Sequence, residues 1–113
     1  RVGEISKIMY EAGIITIVAL VSPFSAERRS VKKLFKDNDS DFIEVFIDTS
    51  IETAEKRDVK GLYKQARDGK IPNFTGVNSN YEKPINPDIH IETKKNTINE
   101  IVEIIYKKLN LIN

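Results

Sequence analysis

The sequence predicts an α/β domain in which a parallel sheet is sandwiched by helices, and three apolar segments support this prediction. Residues 14–21 are almost all β-branched or apolar, which is typical of a central parallel strand covered by helices on both faces. Residues 42–47 and 89–93 are shorter runs of the same character. Stretches with helical spacing separate the three segments, and such alternation favours a parallel sheet.

The first half of the chain is expected to contain two helices, with the first strand between them. Apolar residues at helical spacing predict a helix over residues 2–12, which Gly13 terminates. Ser22 and Pro23 then end the strand, because Pro cannot donate a hydrogen bond to a β-ladder. A charged stretch with apolar residues at helical spacing predicts a second helix over residues 26–35, and a loop is predicted over residues 37–41.

Capping signals predict the helices of the second half. Thr49, with Glu52 three residues later, has the capping-box arrangement and predicts a short helix to about residue 56. A further helix is predicted over residues 60–67. Thr97 begins a second capping box, followed by an apolar stripe that marks the final helix.

Composition argues against several classes of function. The 113 residues contain 18 Lys and Arg against 17 Asp and Glu, a formal net charge of +1, whereas broad nucleic-acid binding needs a large cationic excess. Cys is absent, which removes disulfides and sulfur-ligated metal sites. The longest apolar run is too short to span a bilayer, and no signal peptide precedes it. We therefore expect a soluble, cytoplasmic protein that binds neither nucleic acid nor membranes.

A lid is predicted over about residues 60–85. The segment is too polar for a core and too patterned for a neutral linker, and it reads KGLYKQARDGKIPNFTGVNSNYEKP from Lys60 to Pro84. Long loops inside compact domains are usually functional or disordered. Its basic residues and its Phe indicate a cover over an anionic ligand that carries a flat ring.

Four motifs in this order resemble adenylylsulfate (APS) kinases, the P-loop enzymes that phosphorylate the 3′-hydroxyl of adenosine 5′-phosphosulfate. They are RVGE at residues 1–4, SPF at 22–24, FIEVFID at 42–48, and the lid with its KGLYK and FTG. The phosphate-binding string GxxxxGK[ST] occurs nowhere in the 113 residues. The whole chain, residues 1–113, is therefore similar to the C-terminal part of an APS kinase domain. A P-loop-kinase-like sheet would be incomplete in it, since the first strand and the P-loop are missing.

The resemblance also implies the site residues. They are Val21, Ser22, Lys60, Asn73 and Phe74 for APS, Asn96 and Arg67 for ATP, and no metal ligand. The resemblance also makes Ser22 the one catalytic candidate, as a position treated as phosphoserine in the family. Considered alone, four of them have a plainer interpretation: Ser22 ends a strand, Lys60 is solvated, Phe74 anchors a loop, and Asn96 flanks a helix. ATP and Mg²⁺ are the implied co-substrate and metal.

Two further expectations concern charged and polar residues. Lys64 and Arg67 lie one and two turns beyond Lys60 on the predicted helix, so the three cations are expected to converge on anionic oxygens. His90 is the only His, and we expect it to pack or hydrogen-bond locally.

The leading hypothesis is phosphoryl transfer from ATP to APS, giving 3′-phospho-APS (PAPS), with this chain as the APS-binding and lid portion and inactive alone. The alternatives are an APS- or PAPS-binding or regulatory module that has lost the P-loop, and another small-molecule P-loop kinase. A homodimer, and fusion to or association with an ATP sulfurylase, are implied partners. In the implied topology the strand that leads into the P-loop lies between residues 14–21 and 42–47. Both segments should therefore have an unpaired edge here.

Overall fold

The computed structural model describes residues 1–35 and 42–110, so the predicted loop over residues 37–41 lies outside the described residues. The elements within those ranges are α1 (Val2–Glu11), α2 (Ser25–Lys32), a 3-10 turn (Lys33–Phe35), β1 (Val45–Asp48), α3 (Ile51–Lys56), α4 (Leu62–Arg67), β2 (Ile89–Glu92) and α5 (Ile98–Lys108). No helix within them has the length and apolarity needed to cross a membrane. The chain divides into two compact units, each made of two segments. The first unit is Arg1–Phe42 with Pro72–Pro84, and the second is Ile43–Ile71 with Ile85–Asn113.

Helix packing organises the first unit. A Cβ atom added to Gly3 of α1 would lie 2.9 Å from Cγ1 of Val31 in α2, so the two helices approach closely where α1 has no side chain. Tyr10 packs edge-on against Phe35 with 5.6 Å between ring centroids. Ser6 is buried, and its hydroxyl donates to the carbonyl of Val2 at 2.8 Å. The expected amphipathic first helix is thus formed, with its inner face against α2 and the 3-10 turn.

The strand predicted over residues 14–21 is not formed. These residues have no regular secondary structure, and the sheet found in the described residues consists of β1 and β2 alone. A β-strand depends on hydrogen bonds to a neighbour, and no described strand supplies that neighbour here. The large apolar side chains of the segment are exposed, from 46% at Ile14 to 83% at Ile17. The segment therefore has the composition of a strand but no partner among the described strands.

Parallel pairing organises the second unit. β1 runs alongside β2 in a register that opposes Val45 to Ile89 and Asp48 to Glu92. Ile91 is fully buried, and Ile89 and Phe46 are nearly so. Both strands were predicted, although β1 begins at Val45 rather than at residue 42. The small α/β architecture with a parallel sheet and helices is therefore confirmed.

Two helix starts in the second unit differ from the prediction. Ser50, and not Thr49, caps α3, because its hydroxyl accepts the backbone N–H of Thr53 at 3.3 Å. The hydroxyl of Thr49 is instead hydrogen-bonded to that of Thr93 at 2.8 Å, where the two strands end. Helix α4 begins only at Leu62, after a left-handed residue, so the predicted helix over residues 60–67 is two residues too long at its N-terminus.

The predicted capping box of the last helix is confirmed. Thr97 Oγ1 accepts the N–H of Glu100 at 3.4 Å, and the Glu100 carboxylate accepts the N–H of Thr97 at 2.6 Å. The hydrogen bonds from the backbone and then the side chain of Thr97 lower the pKa of Glu100. The box therefore contains a carboxylate at neutral pH.

We expect Thr97→Ala to lower the free energy of unfolding of α5 by about 1 kcal/mol, because the helix loses an N-cap acceptor. The measurement is amide hydrogen exchange across the first turn of α5. Thr97→Ser keeps the hydroxyl acceptor and serves as the control. Equal exchange rates in Thr97→Ala and Thr97→Ser would contradict the capping role.

The Glu100 half of the box should depend on pH. Its pKa is lower in the folded protein than in the unfolded chain, so its stabilisation is present above the unfolded pKa and is lost as pH falls through the folded pKa. Glu100→Gln should accordingly speed exchange in α5 at neutral pH and have no effect at a pH below the folded pKa.

Candidate functional site

The Ser-Pro turn has a left-handed residue at its centre. Ser22 has a φ of 42°, a region that residues other than Gly occupy only rarely. Two hydrogen bonds hold the turn: Arg28 Nη1 donates to the carbonyl of Ser22 at 2.7 Å, and the N–H of Glu82 donates to the carbonyl of Pro23 at 2.9 Å. Val21, just before the turn, is 63% exposed. Because strained backbone clusters at ligand-binding sites, this turn is a candidate contact.

Phe74 belongs to a closed turn in the same unit. Its carbonyl accepts three backbone N–H groups, those of Val77, Asn78 and Ser79, at 3.1 to 3.2 Å. Its own N–H donates to the side-chain carbonyl of Asn78. Asn73, immediately before it, has a φ of 54°. Phe74 is half-buried, so a well-fixed backbone presents a ring that is partly accessible.

Lys60 and Arg67 belong to the second unit and have different surroundings. Lys60 precedes the left-handed Gly61 and therefore lies outside α4. Its side chain has no hydrogen bond to any described residue, whereas Arg67 makes two to Glu55: Nε to Oε1 at 3.0 Å and Nη2 to Oε2 at 2.9 Å. This pairing lowers the pKa of Glu55 and raises that of Arg67. The predicted helical face shared by Lys60, Lys64 and Arg67 is therefore wrong at its first member.

An acid at the carboxyl end of β1 meets an imidazole from β2. Asp48 Oδ2 lies 3.0 Å from His90 Nε2, and the His90 ring stacks on Phe46 with centroids 5.0 Å apart. The expectation of local bonding for His90 is confirmed. Nowhere in residues 1–35 and 42–110 do three His, Cys, Asp or Glu side chains come close enough to hold a metal.

The predicted site residues divide between the two units. Val21, Ser22, Asn73 and Phe74 belong to the first unit, and Lys60, Arg67 and Asn96 to the second. Asn96 is half-buried and directly precedes the cap of α5, in the loop where it was predicted.

Sequence reasoning missed the residues that support the two turns. Arg28 and Glu82 hold the Ser-Pro turn, and Asn78 holds Phe74. Arg28 lies 54 residues from Glu82, and no local pattern connects positions so far apart. Asn78 did give a signal, because an Asn close to a Gly is typical of turns in which its side chain bonds nearby backbone.

Comparison with known proteins adds three findings. The family model described as adenylylsulphate kinase matches residues 1–92. The adenylyl-sulfate kinase of Staphylococcus epidermidis is 48% identical over 109 residues, which cover 96% of this chain and 54% of that protein. The bifunctional enzyme NodQ of a Rhizobium species is 47% identical over 110 residues, which cover 97% of this chain and 17% of that protein.

A solved structure is similar across almost the whole chain. It is that of the Mycobacterium tuberculosis APS kinase CysC in complex with AMPPNP and APS, with a TM-score of 0.91 and 34% identity. The match covers 97% of this chain and 63% of that one. This chain therefore spans roughly half to two thirds of the length of these single-function proteins.

We expect Asn78→Ala to speed amide exchange at Phe74 about tenfold, because the Phe74 N–H loses its side-chain acceptor. Asn78→Asp retains an oxygen at that position and should preserve protection. Asn80→Ala, at an exposed position of the same loop, is the matched control. Unchanged exchange at Phe74 in Asn78→Ala would show that the turn does not depend on this side chain.

Proposed function

The chain belongs to the adenylylsulphate kinase family, and on this premise we propose that the full-length protein transfers a phosphoryl group from ATP to the 3′-hydroxyl of APS, giving PAPS. In this proposal residues 1–113 are the C-terminal part of the kinase domain and contribute the APS-binding and lid portion. The observation that carries the proposal concerns the first unit. Its Ser22 and Phe74 segments, far apart in sequence, belong to one compact body, and each contains a left-handed residue fixed by hydrogen bonds.

The chemistry of APS fits the residues assigned to it. Its adenine offers a flat π-face to Phe74, and any base can stack on an aromatic ring. Its phosphosulfate is anionic, and Lys60 supplies a compact point charge without a described side-chain partner. Direct in-line transfer between nucleotides requires no enzyme nucleophile. We therefore assign Val21, Ser22 and Asn73 to binding, and phosphorylation of Ser22 is not part of the proposed mechanism.

ATP is the proposed phosphoryl donor, and Asn96 and Arg67 are the residues of this chain assigned to it. The mycobacterial relative bound to AMPPNP and APS supports this choice of substrates. Arg67 uses Nε and Nη2, one edge of its guanidinium, toward Glu55, and the remaining N–H donors of the group are the ones proposed to reach ATP oxygens.

Assembly and location follow from the same premise. A homodimer in the cytoplasm is the proposed state. Fusion to or association with an ATP sulfurylase is supported by the similarity to a bifunctional enzyme that this chain covers only in part.

An ATP- and APS-dependent assay of the full-length protein tests the proposal. Release of ADP that requires APS, with PAPS as the second product, is the expected result. APS binding without ADP release would instead favour a binding or regulatory module. Neither binding nor turnover would refute the proposed substrate class.

We expect Phe74→Ala to raise the KM for APS about ten- to a hundredfold, because loss of one stacked base corresponds to about 1–3 kcal/mol. The KM for ATP should change little. Phe74→Tyr keeps an aromatic face and is the control. Equal losses for both nucleotides would assign Phe74 to loop anchoring alone.

We expect Lys60→Ala to raise the KM for APS about tenfold and to lower kcat, since a charged hydrogen bond to the phosphosulfate is lost. Lys60→Arg should recover little, because a planar guanidinium does not reproduce a compact ammonium. Lys70→Ala removes the same charge from the same lid segment and should leave both KM values near wild type. Wild-type kinetics in Lys60→Ala would place Lys60 on a solvated face.

A further inference from the structure

One side chain connects the Ser-Pro turn to the end of the lid. Arg28 of α2 donates from Nη1 to the carbonyl of Ser22 and from Nη2 to the carbonyl of Glu82, both at 2.7 Å. Its guanidinium carbon lies 5.8 Å from the centre of the Tyr81 ring. The donors of a guanidinium have a fixed planar geometry, so the two carbonyls it binds are held at a set separation. We refer to Ser22, Arg28 and Glu82 as the Arg28 clamp.

Glu82 reinforces the clamp with a different set of atoms. Its carboxylate accepts the N–H of Ser25 at 2.8 Å, at the first residue of α2, whose N-cap residue Phe24 has no side-chain acceptor to offer. The hydrogen bonds from the side chain and backbone of Ser25 lower the pKa of Glu82. Its N–H bonds the carbonyl of Pro23 at 2.9 Å. Arg28 and the Glu82 backbone therefore act on the turn, while the Glu82 carboxylate acts on the start of α2.

We propose that Arg28 is a positioning residue for APS, a role that rests on the proposed function. A left-handed Ser persists only where its surroundings determine its conformation, and Arg28 binds the carbonyl of that residue directly. The same guanidinium attaches the lid end at Glu82 to the turn. Arg28 thereby fixes the position of the Ser22 segment, which is assigned to the substrate, relative to the Glu82 segment, which ends the predicted lid.

The two sets of atoms permit a discriminating experiment. Arg28→Ala removes both bonds of the clamp. Glu82→Ala retains the backbone carbonyl that Arg28 binds, and it removes the acceptor at the start of α2 together with the charge that Arg28 and Arg29 face. Arg29→Ala is the matched control, since Arg29 is the next Arg of the same helix and its side chain forms no hydrogen bond with residues 1–35 or 42–110. Thermal midpoints, the KM values for APS and ATP, and kcat are measured for each variant of the full-length protein.

In Arg28→Ala we expect the KM for APS to rise about tenfold, because the charged hydrogen bond that holds the Ser22 carbonyl is lost. The KM for ATP should stay within about twofold of wild type. Glu82→Ala should lower the thermal midpoint and change the KM for APS by less than about threefold, because the acceptor for Arg28 remains. Arg28→Lys should recover only part of the loss, because one ammonium lacks the planar fork. If Arg28→Ala does not fold, Arg28→Lys carries the test, with an intermediate rise in the KM for APS as the expected result.

Four results would overturn the proposal. A KM for APS that is unchanged in an active Arg28→Ala enzyme refutes the positioning role and leaves the proposed function intact. Equal rises in the KM for APS and in the KM for ATP in Arg28→Ala would reduce Arg28 to a structural residue. So would a rise of more than about threefold in the KM for APS in Glu82→Ala, because that variant loses thermal stability but keeps the carbonyl that Arg28 binds. A wild-type protein that neither binds nor phosphorylates APS removes the positioning role together with the proposed function, and the wild-type measurement alone identifies that case.

Discussion

Backbone N–H and C=O groups need hydrogen-bond partners, and this constraint explains where the chain is regular and where it is not. β1 and β2 supply each other with partners, and their inner side chains become buried. Residues 14–21 have a similar composition, yet no described strand offers them a ladder, and they remain irregular and exposed. The same requirement explains the capped start of α5 and the closed turn at Phe74.

The segments assigned to the ligand are turns whose shape is set by side chains elsewhere. Ser22 owes its conformation to Arg28 and to a backbone bond from Glu82. Phe74 owes its conformation to its own carbonyl and to Asn78. Turns can present atoms to a ligand because their groups are not all used in a ladder, but they need support from outside to be rigid. The residues that support these turns therefore matter as much to the geometry of the candidate site as the residues assigned to the ligand.

Features that depend on neighbours within a few residues were predicted better from the sequence than features that depend on contacts between distant segments. The capping box at Thr97 and the stop at Gly13 depend on neighbours within a few residues, and both helix predictions are close to the observed bounds. The start of α3 was misplaced by one residue because Thr49 bonds Thr93 across the strand ends, which no local pattern encodes. The strand over residues 14–21 failed for the same reason, since pairing is a property of two segments. Sequence motifs were enough to select Ser22 and Phe74 as candidates. The supporting roles of Arg28 and Glu82 could be found only from the folded structure, where the two residues meet.

The first unit is discontinuous, and this has a consequence for the order of folding. Pro72–Pro84 completes a body that begins with Arg1–Phe42, and the intervening residues belong to the other unit. Bonds between Arg28 and Glu82 close a loop of more than fifty residues, so their formation carries a loop-closure entropy that local helices do not. During synthesis, α1 and α2 are complete long before the segment that fixes Ser22 has been made. The Ser-Pro turn is consequently among the last parts of its unit to acquire its final geometry, and an excised fragment ending before residue 72 would lack it.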